Sequence, residues 1–172
     1  MAITSEISVE NHVRAYLLKR YGKEPFRFTK TDHIGKNFYS IVNDQSTEHD
    51  ADLFRKKIKP YPAFVMVEIS ENLYLKNGML YTETGIREFN NYVSEHIYEI
   101  LFTTMDFTQE FMGQKKYKYN EALMKFCELQ GLDEDNFQYE RIKKAWYRHR
   151  MRANGLIKSK IKTISLNVPK KR

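Results

Sequence analysis

Between Glu83 and Met105, the residues Ile86, Phe89, Val93, Ile97, Ile100 and Leu101 recur at spacings of three and four. At about 3.6 residues per turn, that recurrence commits one helical face to a core for roughly six turns. Thr82 stands where a cap belongs, so this stretch is expected to form the central helix of the scaffold. With 172 residues there is room for one domain, or for a compact domain with a small appendage. Seven Gly and four Pro are too few for a loop-rich fold, so the other elements should also be long and regular. An apolar content of 41%, with 14% aromatic residues, supplies a core and argues against intrinsic disorder.

The elements on either side follow from the same kind of pattern. Ser8 reads as an N-cap, with Val9, Val13, Tyr16, Leu17 and Tyr21 forming an amphipathic stripe that stops at Gly22. His12 lies beside that stripe as a packed or half-exposed helix histidine rather than a ligand, because no second His or acid stands at metal spacing. Phe26-Arg27-Phe28-Thr29 alternates as a short strand after Pro25, and a helix is expected from Asp32 to Asn43 with Ile34, Phe38, Ile41 and Val42 inward. Residues 43–62 form a polar interruption ending in Pro60-Tyr61-Pro62. His49, Asp50 and Asp52 cluster there, but the loop glycine and distal Glu of a calcium loop are missing, as is the second His of a zinc site. A solvated loop is the reading, with no metal.

Ala63 to Ser70 is the clearest strand, carrying Phe64, Val65, Met66, Val67 and Ile69. Asn77-Gly78 between Tyr74-Leu75 and Met79–Tyr81 signals a hairpin, with a short helix over Glu71 to Lys76 as the competing assignment. Asp106 to Lys118 reads as a linker, and a helix capped by Asn120 follows, carrying Leu123, Phe126, Cys127 and Leu129 and ended by Gly131. Leu132-Asp133-Glu134-Asp135-Asn136 makes an acidic turn before a second helix from about Phe137 to Arg152, with a stop at Asn154-Gly155. The expected architecture is α+β: a small antiparallel sheet packed on a long central helix, a C-terminal helix-turn-helix-like pair and a basic tail. The divisions fall at 1–114 for the body, 115–155 for the helical pair and 156–172 for the tail, where Thr163 to Val168 alternates like a strand.

Charge is divided unevenly along this plan. Residues 141–172 hold twelve Lys or Arg and no acid, whereas 1–140 hold 17 bases against 22 acids, for a formal total of +7. An acidic body with a strongly basic end implies an acidic partner for that end. On the second helix, Ile142, Ala145, Trp146 and His149 share one sector, Arg141, Lys144, Arg148 and Arg152 the next, and Lys143 and Arg150 the far side. That pattern suits a helix entering a major groove, with Arg for guanine edges and Lys for phosphates. Lys158, Lys160, Lys162, Lys170, Lys171 and Arg172 would add backbone contacts. A solvated basic helix, or one docked on an acidic protein, would carry the same pattern. The apolar face is narrow and centred on Trp146, which counts against a membrane surface.

The sequence carries none of the local motifs of catalysis. There is no Gly-rich phosphate loop, Cys-x-x-Cys, His-x-His or Gly-x-Ser-x-Gly. Glu68 and Glu71 are acids near a strand, but the Asp and Lys around them match no nuclease arrangement. No enzyme activity and no cofactor is expected. The lone Cys127 cannot form an internal disulfide, no apolar run is long enough to span a bilayer, and residues 1–11 lack the features of a secretory signal. The expected setting is cytoplasmic.

Three clusters together carry a family likeness: His12-Val13 with Tyr16-Leu17-Leu18 and Tyr21-Gly22; Ile34-Gly35 with Phe38-Tyr39; and Ile142-Lys143-Lys144 with Tyr147-Arg148. In these the chain resembles a family of small, functionally uncharacterised proteins carried by prophages and mobile elements of gut Bacteroidetes. The resemblance brings no catalytic residues. It implies a bacteriophage or mobile-element setting. Within that setting the basic helix and tail give the expected role, a DNA-binding accessory or regulatory protein on double-stranded DNA in the bacterial host. The alternative is a virion structural subunit, such as a head–tail connector, ring or capsid-associated protein. That subunit would form homo-oligomers or join other phage structural proteins through the basic end and a strand-like arm.

Overall fold

The computed structural model describes residues 2–43, 61–71, 83–112, 118–135 and 137–166, with 42–43, 83 and 153–166 in backbone only. Two compact units emerge, Met1–Asn136 and Phe137–Arg172. Among the described residues the fold is α+β, with one two-stranded antiparallel sheet and five helices, of which a 30-residue helix is the centre. The expected boundary at 114/115 is replaced by one at 136/137, because the helix after Lys118 packs with the body.

The sheet pairs β1 (Ala2–Val9) with β2 (Ala63–Ser70), from Ala2 opposite Ser70 to Val9 opposite Ala63. Val65, Val67 and Ile69 of β2 and Ser5, Ile7 and Val9 of β1 face inward, the period-two consequence of the pleat. β2 has the span expected from sequence. β1 corrects the reading of Ser8 as a helix cap: Ser8 is a strand residue opposite Phe64. The next helix, α1 (Asn11–Tyr21), begins at Glu10 with no side-chain cap. Its entry is held instead by the buried Asn90, whose Oδ1 accepts the Glu10 amide at 2.8 Å while Nδ2 donates to the Ser8 and Ile86 carbonyls. α1 ends at Gly22, whose φ of 86° suits glycine and whose amide donates to the Leu18 carbonyl. His12 is a packed residue, 2.7 Å from the Ser94 hydroxyl through Nε2.

The expected strand over Phe26–Thr29 contracts to a single parallel bridge, Phe26 to Val67. The Phe26 amide donates to Met66 and its carbonyl accepts from Glu68, each at 2.8 Å. Phe28 then turns into the core and packs at 4.8 Å from Phe38 and 6.0 Å from Phe89. Phe38 belongs to α2 (His33–Asn43) and Phe89 to α3 (Glu83–Met112), so this aromatic triad joins the loop to both helices.

Asp32 caps α2. Its carboxylate accepts the Gly35 amide at 3.1 Å, the Arg20 guanidinium at 2.7 Å and the Tyr21 hydroxyl. Burial pushes the carboxyl up, but the hydrogen bonds from Tyr21, Gly35 and Arg20 outweigh it and hold the group below the usual Asp range. A depressed folded-state value gives stability that is present above the unfolded value near 3.9 and is lost as pH falls through the folded one. Asp32→Asn should therefore cost about 1–2 kcal/mol in urea denaturation at neutral pH. The gap from the wild type should narrow towards pH 3; a constant gap would show that the carboxylate charge is not what matters.

α3 runs past its expected end. Met105 is its last buried residue, but the helix continues to Met112, with Thr108 Oγ1 donating to the Thr104 carbonyl. No Gly or Pro interrupts 106–112, so helical hydrogen bonding carries on where core packing has stopped. α4 (Tyr119–Gln130) starts after Lys118 rather than at Asn120 and buries Leu123, Phe126 and Cys127. Leu129, on the same helix, is 58% exposed. Gly131 closes α4 in the left-handed region at φ 69°, with the Leu132 amide donating to the Cys127 carbonyl at 2.8 Å. The hairpin around Asn77-Gly78 and the His49-Asp50-Asp52 cluster lie outside the described residues.

Candidate nucleic-acid interface

The basic end is built on α5 (Tyr139–Leu166), 28 residues or roughly 42 Å of helix. This corrects the expected stop at Asn154-Gly155 and the strand-like reading of the tail. The backbone is helical through Asn154, Gly155 and on to Leu166, while 167–172 lie outside the described residues. A glycine inside a helix costs only about 1 kcal/mol. Ile157, Ile161 and Ile164 stand at i, i+4 and i+7, a helical recurrence that the alternation of Ile164, Leu166 and Val168 obscures. At the start of α5, the Ile142 amide donates to the Gln138 carbonyl, and Glu140 places an acid in the first turn, where the helix dipole favours it.

The twelve predicted cations fall into four groups. Arg141, Lys144, Arg148 and Arg152 are all exposed and lie within about 80° of helical arc. None of the four forms a salt bridge among the described residues. Lys143 is engaged: its ammonium bridges Glu140 and holds that carboxyl below its usual range. Arg150 is engaged as well, its guanidinium 6.0 Å above the Trp146 ring, against which His149 also stacks at 5.6 Å. Lys158, Lys160 and Lys162 fall within the helical backbone, and Lys162 is five turns on from Lys144. Lys170, Lys171 and Arg172 lie outside the described residues.

The apolar seam is as expected at its centre, with Ile142 and Trp146 buried and Ala145 and His149 half-buried. Beside the open cations, Tyr147 is 65% exposed and Met151 55%. Tyr147 offers a stacking surface there. Met151 was missed, although its place seven residues after Lys144 marks it as lying on the same side. The arrangement is an open cationic stripe with an aromatic ring beside it, suited to a row of phosphates and an unpaired or groove-edge base.

Among the described residues no helix is long and apolar enough to cross a membrane. No group of three or more His, Cys, Asp or Glu among them is placed to hold a metal ion. Comparison with protein-family models, with curated proteins and with solved structures finds no match to this chain.

Proposed function

We propose that the protein binds double-stranded DNA without catalysis, as an accessory or regulatory factor of a bacteriophage or mobile element. The observation that carries the reading is the stripe Arg141, Lys144, Arg148 and Arg152, exposed and without salt bridges among the described residues. Successive members stand three or four residues apart, so the stripe follows the helix axis as a row of phosphates would require. The alternative, a virion connector subunit, drew on an arm that could add a strand to a neighbour. With 156–166 helical, the described part of that arm has no strand to add, and the DNA reading is preferred.

The direct test is fluorescence anisotropy of a labelled duplex across a salt series. Each phosphate neutralised contributes a slope of about −0.9 in log K against log salt, so four contacts predict a slope near −3.6. Affinity should fall on the order of 100-fold between about 50 and 200 mM salt. A flat salt response, or no binding at the low end, would sink the proposal.

A further inference from the structure

The last turns of α3 present a surface that the core does not use. Beyond Met105, Phe107 is 68% exposed, Phe111 84% and Met112 47%. The rings of Phe107 and Phe111 stack on each other 6.2 Å apart, leaving their outer faces open. By helical register these rings continue the sector of His96, Ile100 and Thr104, which with Tyr92, Glu99, Thr103 and His33 of α2 line a cleft of about 420 Å³. A cleft leading onto an aromatic ridge has the spacing of a helix-binding groove, with anchors one turn apart.

Charge selects what could lie there. Residues 88–112 contain five acids (Glu88, Glu95, Glu99, Asp106 and Glu110) and no Lys or Arg. Pairing two α3 ends with each other would set acids against acids. The groove instead fits a helix carrying cations beside exposed apolar groups, and this chain contains one. On α5, Lys144, Tyr147, Arg148 and Met151 are exposed within about 100° of arc.

We propose that the acidic aromatic face of α3 is a docking site for α5 of a second copy of this chain, giving a salt-sensitive self-association. This goes beyond the DNA-binding reading and does not depend on it. Sedimentation velocity at about 50 mM salt should show concentration-dependent association that weakens as salt rises. Phe107→Ser with Phe111→Ser should weaken it by about tenfold or more, with helix content unchanged by circular dichroism. Glu99→Lys with Glu110→Lys should abolish association, as should Lys144→Glu with Arg148→Glu. Mixing those two charge variants should restore it, because each then supplies the complement of the other. The α3 variants leave Arg141 to Arg152 intact, so duplex binding should persist in them whether or not association is lost. A wild type that stays monomeric at tens of micromolar, phenylalanine variants that associate like the wild type, or failure of the mixture to re-associate would each overturn the proposal.

Discussion

Gly35→Ala is expected to destabilise the protein by at least about 3 kcal/mol, a large part of what a domain of this size holds in reserve. Gly35 is buried in the first turn of α2, where the helix lies directly against the loop that precedes it. A Cβ there would sit 2.0 Å from the Thr29 carbonyl oxygen and 2.9 Å from the Thr29 carbonyl carbon and amide nitrogen. All three are backbone atoms, so no side chain can turn aside. Relief requires α2 to move away from Thr29, and several contacts depend on that approach: the Asp32 amide donating to Thr29, the Asp32 cap on the Gly35 amide, and the packing of Phe28 on Phe38. Gly22→Ala is the internal control. No atom lies within 4 Å of a Cβ there, and only the backbone conformation, φ 86° and ψ −104°, opposes the change, at a cost of about 1–3 kcal/mol. Urea denaturation of both variants checks the ranking. A Gly35 variant within about 1 kcal/mol of the wild type would mean that α2 does not approach Thr29 as described.

The elements that were legible in the sequence are those whose signal is local. β2 carries a run of β-formers that no helix would favour. α2 and the first six turns of α3 repeat apolar residues at helical spacing because that face is buried. What was missed depends on partners distant in sequence. β1 has a thin apolar content, and it is a strand because β2, more than fifty residues later, pairs with its full length. The end of α3 was misplaced because core periodicity stops at Met105 while hydrogen bonding does not. Asn154-Gly155 reads as a stop, yet the flanking residues carry the helix across it. At the candidate site, the sectors of the cations from Arg141 to Arg152 followed from spacing alone. Which cations are engaged did not: Lys143 is taken up by Glu140 and Arg150 by the Trp146 ring, and both depend on side-chain placement.

Arg141→Glu, Lys144→Glu and Arg148→Glu together should reduce duplex affinity by on the order of 1,000-fold near physiological salt. Three phosphate contacts are lost, and three like charges are brought to the same row of phosphates. The slope of log K against log salt should become shallower by about three. The fold should tolerate the change. All three side chains are exposed, Arg141 stands in the first turn of α5 where an acid is favoured, and Lys144 and Arg148 are already a like-charged pair at i, i+4. Net charge is the obvious confounder, since the triple change takes the chain from +7 to about +1. A matched control reverses Lys23, Lys36 and Arg87, exposed cations of the body, and alters the total by the same amount. If the α5 stripe is the contact surface, the control should keep affinity within several-fold of the wild type while the α5 triple loses it. Equal losses in both would reduce the interaction to nonspecific attraction between net charges. Survival of binding in the α5 triple would move the interface off this helix.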